Sequence, residues 1–262
     1  MARSEGISLK KRYGQHFLRS YTVVHQILSR VELKPETSVF EIGCGDGFLT
    51  RAILQTPIAR LWTFDIDPEW VAYVKKSIDD PRLEVFLENI LDVDFSRFEP
   101  YKPWTLLANL PYQITFPILY MLQRNRHILR EGVIMIQEEV AQKLVKKGGR
   151  GFGFSTLYFQ YYFELKLLEK VPPAVFHPPP KVYSRLLYLK PRVHTETIPE
   201  EEKFWKFIKV CFIQPRRTLR NNLKQSDYAI EKIPEAILGL RAQQLKWEDL
   251  VSLWNRIRNH QE

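Results

Sequence analysis

The stretch Ser38-Val39-Phe40-Glu41-Ile42-Gly43-Cys44-Gly45-Asp46-Gly47 decides how this chain of 262 residues folds. Its first five residues read as a buried strand, and three alternate glycines follow at once. Residues 48–54 then read as a helix. Strand, glycine loop and helix open a nucleotide-binding α/β unit, whose ligand sits at the carboxyl end of the strand. Glycine lets the backbone approach a ligand where a Cβ would clash. The spacing is Gly-x-Gly-x-Gly, whereas dinucleotide sites use Gly-x-Gly-x-x-Gly.

Outward from this loop, residues 61–64 form the next strand, ending in Asp65-Ile66-Asp67-Pro68. Asp65 stands 22 positions after Gly43 (65 − 43), where an acid can take both hydroxyls of a ribose. Pro68 suits the first turn of a helix running to residue 77. A third strand, 83–87, ends at Glu88-Asn89. Asn89 reads equally as a polar loop residue and as a partner for an adenine amine. The glycine loop, preceded by Glu41, resembles that of S-adenosylmethionine-dependent methyltransferases. Gly43, Gly45 and Asp65 are therefore expected to hold that cofactor.

A fourth strand, 104–107, delivers Ala108-Asn109-Leu110-Pro111-Tyr112. Pro111 ends the strand, because proline gives a ladder no N–H. An amide, a turn and an aromatic ring thus share a strand's carboxyl edge. The amide oxygen and bent carbonyls suit an exocyclic amine, and the ring can stack on the base that carries it. A plain turn with a buried tyrosine fits the same four residues. Helix 115–122, strand 132–136 and helices 138–145 and 154–162 follow. Strand 163–171 ends at Pro172-Pro173. In Phe176-His177-Pro178-Pro179-Pro180-Lys181-Val182, three prolines stiffen a loop. That loop can hold Phe176 as a second jaw on a base, or it is a rigid connector with a buried Phe. Strand 184–189 brings the sheet to about seven. Residues 191–199 look like a linker, and 200–262 are helical in pattern. The expected domains are 1–194, Rossmann-like α/β, and 195–262, small and all-helical.

The chain carries a formal net charge of +9, with 45% hydrophobic and 26% charged residues. It is globular, and its charge points to a polyanion. The basic residues fall in three clusters with few acids between them: Lys10, Lys11 and Arg12; Lys146 and Lys147; Arg216, Arg217 and Arg220. Cys44 and Cys211 suggest no disulfide framework, so a reducing cytoplasmic setting is expected. No run is apolar enough to cross a bilayer. Residues 1–12 lack the apolar centre of a secretory signal. The six histidines show no ligand spacing, so no metal is expected. There is no Gly-x-Ser-x-Gly elbow. Methyl transfer needs neither, since a sulfonium is already electrophilic and the protein mainly places the nitrogen in line.

Six motifs in order resemble the rRNA adenine N6,N6-dimethyltransferases of the small-subunit (KsgA/RsmA) type, over nearly the whole chain. They are Gly14-Gln15-His16-Phe17-Leu18, Glu41 to Gly47, Asp65-Ile66-Asp67, Asn109-Leu110-Pro111-Tyr112, Phe176 to Ser184, and Arg216-Arg217-Thr218-Leu219-Arg220. Arg241-Ala242-Gln243-Gln244-Leu245 looks like the family's C-terminal domain. The resemblance implies dimethylation of two adjacent adenosines in the 3′ hairpin of small-subunit rRNA, with immature small subunits as partner and a monomeric enzyme. His16 and Leu18 would close over the cofactor, Asp65 would hold its ribose and Asn89 would sit by its adenine. Asn109, through its side-chain oxygen, and Leu110, through its carbonyl, would accept from the target amine. Tyr112 and Phe176 would stack on the extruded base. The basic clusters and Lys181 would meet RNA. Asp65 stands where Glu is common, Asn89 where Asp is usual, and Pro215 where the family often has a basic or polar residue. The competing expectations are a large-subunit resistance methyltransferase and a non-catalytic assembly or transcription factor on the same scaffold.

Overall fold

The computed structural model describes residues 3–4, 6–8, 10, 14–193 and 197–258. The chain divides into two compact units, Met1–Gln142 with Tyr162–Pro191, and Lys143–Tyr161 with Arg192–Glu262. The boundary expected at 194/195 lies outside the described residues, and the observed division also assigns 143–161 to the second unit. The reason is aromatic packing. Phe154, Tyr158 and Tyr161 lie 6.2, 4.8 and 5.3 Å from the Trp205 ring.

The first unit is built on seven strands: β1 (Ser38–Ile42), β2 (Arg60–Asp65), β3 (Leu83–Leu87), β4 (Trp104–Asn109), β5 (Leu129–Gln137), β6 (Phe163–Val171) and β7 (Ser184–Pro191). Their order is β3-β2-β1-β4-β5-β7-β6. Strands β1 to β5 pair in parallel, and β7 is antiparallel to both neighbours. Every residue of β1 is buried, as a central parallel strand covered on both faces requires. Val39, Leu61, Leu107, Val133 and Leu186 are fully buried in one core. Strand order reverses between β1 and β4, so their carboxyl ends flank a crevice.

Local chemistry sets the helix starts. Helix α1 (Tyr21–Leu28) begins where the Ser20 side chain accepts from the Val23 amide. Helix α2 (Phe48–Leu54) follows the glycine loop directly. Helix α3 (Pro68–Ser77) is capped by Asp67, with Pro68 in its first turn, where the missing N–H costs nothing. Helices α4 (Thr115–Arg124) and α5 (Glu138–Leu144) follow β4 and β5. A two-residue strand, Phe17–Leu18, pairs antiparallel with Phe176–His177, and the Arg19 amide donates to the Val175 carbonyl at 2.8 Å.

The second unit contains no strand among its described residues. It comprises most of α6 (Phe154–Tyr162), then α7 (Glu201–Cys211), α8 (Leu219–Leu223), α9 (Glu235–Leu238) and α10 (Trp247–Arg258). Trp254 is fully buried and donates its Nε1–H to the Pro199 carbonyl at 2.8 Å. Among the described residues, no helix is long and apolar enough to cross a membrane.

Candidate active site

One cleft gathers the loop after β1, the ends of β2, β3 and β4, and the segment Gly14–Leu18. His16, Leu18, Gly43, Gly45, Asp65, Asn89, Asn109, Leu110 and Tyr112 all line it. Every candidate cofactor and catalytic residue except Phe176 is therefore brought together. Phe176 is only 4% exposed and packs in the core with Leu18, Val23 and Ile27. Its backbone pairs with that of Leu18, and Phe176 is not among the residues lining the cleft.

On the cofactor side, the Gly43 amide donates to the Phe64 carbonyl at 2.8 Å, joining loop to strand β2. The Gly45 and Asp67 amides donate to separate oxygens of Asp65, at 3.1 and 2.9 Å. The Asp67-bound Oδ1 retains a lone pair for a ribose hydroxyl, while the Gly45-bound oxygen also accepts from the Cys44 thiol at 3.7 Å, a weak donor that a hydroxyl can displace; these residues fit an S-adenosylmethionine ribose. Burial raises the Asp65 carboxyl above its ordinary range, opposed by the Asp67 and Gly45 amides. Asn89 is partly spent locally. Its Nδ2 donates to Asp92 at 2.7 Å, and its Oδ1 accepts from the Leu91 amide at 3.2 Å. A second lone pair on Oδ1 remains for an adenine amine. Cys44 is 4% exposed, and burial pushes its thiol well up, so it is no nucleophile.

Glu41, 1% exposed, forms part of the cleft wall and accepts from the Thr50 hydroxyl at 2.6 Å. Burial pushes its carboxyl from 4.5 up to about 8. Between those two values the folded protein holds a proton that the unfolded chain has lost. This carboxyl's contribution to stability is thus complete below about pH 4.5 and disappears as pH rises to about 8. Thermal unfolding from pH 5 to 9 should show wild type losing stability relative to Glu41→Gln, with the variant ahead at pH 8–9. Parallel curves would refute this assignment.

On the chemistry side, the Asn109 Nδ2 donates to the His16 main-chain carbonyl at 2.9 Å. This fixes the amide's orientation and leaves Oδ1 as its acceptor. Leu110 is buried, and its amide donates to the Met135 carbonyl at 3.1 Å. The Tyr112 hydroxyl and the buried Ser184 hydroxyl lie 2.6 Å apart. Burial raises the Tyr112 phenol above its ordinary value. Ser184 ends the proline-rich motif, but its sequence offered no role; its place at the start of β7 was the available signal.

The basic residues separate sharply. Lys11 and Arg12 lie outside the described residues. Lys10 pairs with Asp67 at 2.6 Å and Glu69 at 2.9 Å, while Gln15 donates to the other oxygen of Asp67 at 2.9 Å. Lys10 thus ties the N-terminal segment to the start of α3. In the second unit, Lys146 donates to the Arg150 carbonyl and Arg220 pairs with Glu235. Lys147, Arg216 and Arg217 are exposed, as is Lys181 in the first unit.

The strand order, the glycine loop and the acid ending β2 define a Rossmann-like methyltransferase. A family model described as "Ribosomal RNA adenine dimethylase" matches residues 6–254. "Ribosomal RNA small subunit methyltransferase A" of Chlorobium phaeobacteroides is 34% identical over 253 residues, covering 96% of this chain and 92% of that one. The protein of the same name from Syntrophotalea carbinolica is 33% identical over 259 residues, covering 96% and 97%. Two solved structures share the fold: a dimethyladenosine transferase from Plasmodium falciparum, with a TM-score of 0.77 at 22% identity over 92% of this chain and 98% of that one, and the 23S rRNA methyltransferase ErmE, with 0.72 at 24% over 92% and 99%. The chain belongs to the ribosomal RNA adenine dimethylase family.

Proposed function

We propose that this protein transfers methyl groups from S-adenosylmethionine to the N6 amines of two adjacent adenosines in the 3′-terminal hairpin of small-subunit (16S) rRNA. The reading extends to a monomeric, cytoplasmic enzyme of small-subunit biogenesis that acts on immature subunits and needs no metal. The observation that carries it is the Asn109 amide, held by the His16 carbonyl with Oδ1 left to accept, beside Tyr112 in the cleft. The small-subunit choice is supported by the names of relatives about one-third identical over nearly the full length.

When bound, S-adenosylmethionine supplies a methyl group on a sulfonium sulfur. Asn109 Oδ1 and the Leu110 carbonyl accept the amine's two N–H bonds, which aims the nitrogen lone pair away from them and along the transfer line. Gly43, Gly45 and Asp65 would hold S-adenosylmethionine, and it would supply an electrophilic methyl carbon with a neutral thioether as its leaving group. The methylated nitrogen then sheds a proton to solvent. No general base is required, because the work is placement of the nitrogen. Tyr112 gives the extruded base a face to rest on. After the first methyl one N–H remains, so the same two acceptors serve a rotated amine.

The test is methyl transfer from labelled S-adenosylmethionine to unmethylated small subunits, large subunits and naked rRNA, with the label mapped. Dimethyladenosine at adjacent positions of the small-subunit 3′ hairpin is expected. Label in the large subunit would replace this substrate. Tight binding without label anywhere would make the protein an assembly or transcription factor.

Arg216 and Arg217 precede helix α8 as an exposed cationic pair, and we assign them to rRNA phosphates. Each phosphate contact contributes roughly 0.7 to 0.9 to the slope of log affinity against log salt. Arg216→Glu with Arg217→Glu should weaken rRNA binding and flatten that slope by about 1.4 to 1.8. A salt titration with an unchanged slope would exclude the pair from the interface.

A further inference from the structure

The segment that leads into β7 carries an exposed aromatic ring that the cleft does not use. Tyr183 is 47% exposed, Lys181 and Val182 before it are exposed too, and none of the three lines the cleft. The backbone beneath the ring is fixed. The Tyr183 carbonyl accepts from the Glu138 amide at 3.0 Å. The next residue, Ser184, is buried with its hydroxyl 2.6 Å from that of Tyr112. Near the end of β6, Lys170 is exposed, and its ammonium stands 4.3 Å from the centre of the Tyr183 ring. Lys170 pairs across the strands with Arg185, so both side chains lie on the face of the sheet opposite Ser184. Tyr183 therefore sits over the sheet's rim from Tyr112, one residue along the chain from the serine that meets it. Positive charge is left over at this rim. Glu138 accepts from the Arg185 guanidinium on both oxygens, at 2.5 and 2.7 Å, and Glu169 pairs with Arg30. Among the described residues, Lys170 and Lys181 have no carboxylate at ion-pair distance.

We propose that Tyr183, with Lys170 and Lys181, is a second nucleotide site for the rRNA substrate, outside the cleft. An unpaired base that flanks the target lies on the phenol ring, and its phosphates meet the two lysines. The inference rests on the rRNA-methylating function proposed above. An aromatic face accepts any base, since every base has a π-face of its own, and a lysine ammonium binds phosphate as a point charge. Lys170 covers one face of the ring, and the ring's exposure leaves surface for a base. The two lysines select the occupant. An apolar protein segment would bury them without a partner, whereas a polyanion neutralises both. Because Ser184 holds Tyr112 from the adjoining position, a nucleotide bound at Tyr183 anchors the strand beside the place where the target base is extruded.

Affinity for unmethylated small subunits and for protein-free small-subunit rRNA would be measured over a range of salt for wild type, Tyr183→Ala, Tyr183→Phe and Lys181→Gln. Steady-state methylation and calorimetry with S-adenosylmethionine would run in parallel. Removing the platform for one stacked base weakens binding by roughly 5- to 150-fold. Tyr183→Ala should therefore raise KM for the subunit by about that factor, with kcat and cofactor affinity within about twofold. Its salt slope should match wild type, because no charge is lost. Tyr183→Phe keeps the ring and should recover most of the affinity. Lys181→Gln should lower the slope of log affinity against log salt by about 0.7 to 0.9. Undiminished affinity in Tyr183→Ala overturns the proposal. So does a Tyr183→Phe variant as weak as Tyr183→Ala, which would make the hydroxyl and not the ring the contact. A loss seen on subunits but not on protein-free rRNA also overturns it, and would assign the face to a ribosomal protein. Wild-type protein that methylates no rRNA overturns the underlying function and this inference with it. An active wild type with an equally tight Tyr183→Ala overturns the inference alone.

Discussion

Asn109→Ala is expected to lower methyl transfer by about 100- to 1,000-fold, the scale on which removing one preorganised polar contact acts in an active site. Two effects combine. The acceptor that aims the amine is lost, and the His16 carbonyl loses the Nδ2 donor that it faces at 2.9 Å. Asn109→Asp separates them. It keeps an acceptor toward the amine but turns a carboxylate oxygen toward the His16 carbonyl, where two acceptors repel. The Asp variant should therefore also be slow, although it differs from the native side chain by one group. Cofactor affinity should stay within a few-fold in both, since the ribose partner Asp65 is untouched. Single-turnover methylation together with calorimetry on S-adenosylhomocysteine makes the comparison. Turnover of Asn109→Ala within threefold of wild type would remove Asn109 from the chemistry.

Asn109 illustrates what the sequence could and could not reveal. Its place at the end of a buried strand was readable from the apolar run before it and from Pro111 after it. The partner that fixes its amide lies 93 residues away, and no local pattern encodes that pairing. Strands β1, β3 and β6 have the bounds read from the sequence; β1 is buried throughout, as a strand covered on both faces requires, whereas β3 and β6 are edge strands with exposed residues. The pairing of Phe17–Leu18 with Phe176–His177 left no such mark. Two residues are too few for a period, and the partners come from opposite ends of the first unit. It places Phe176, singled out in the sequence by its prolines, beside Leu18, where it is buried.

Charge was legible in amount but less so in use. Lys10 belongs to a basic run, yet its acids, Asp67 and Glu69, arrive 57 and more residues later, at the start of α3. Arg220 likewise meets Glu235 across a turn of the second unit. The exposed pair Arg216 and Arg217 resembles its neighbours in sequence, and only the fold distinguishes it. The place of 143–161 with the helical unit follows the same rule. It is set by contacts with Trp205 and Trp247, both far along the chain.

Gly45→Ala should weaken cofactor binding by at least about tenfold although the substitution adds one carbon. Gly45 has φ of +49°, and a Cβ there would stand 2.6 Å from the Phe17 ring. The left-handed conformation alone costs an L-residue about 1–2 kcal/mol. The clash is the larger matter. Phe17 is 7% exposed and packs edge-on against Trp70 at 4.9 Å, so its ring has little room to retreat. Displacing it moves the segment that carries His16 and Leu18 into the cleft. It also disturbs the Gly45 amide that donates to Asp65. Affinity for S-adenosylmethionine should fall by at least about tenfold, the cost of roughly 1.4 kcal/mol, with a lower Tm. Gly149→Ala supplies the control. It is also left-handed, with φ of +75°, but nothing lies within 4 Å of the added Cβ. That variant should show the backbone strain as a lower Tm with cofactor affinity unchanged. If calorimetry finds the two alanine variants equally affected, strain alone is at work and the Phe17 contact does not shape the cofactor site. If Gly45→Ala alone loses affinity, the contact between the glycine loop and the N-terminal motif is what holds the cleft in its binding form.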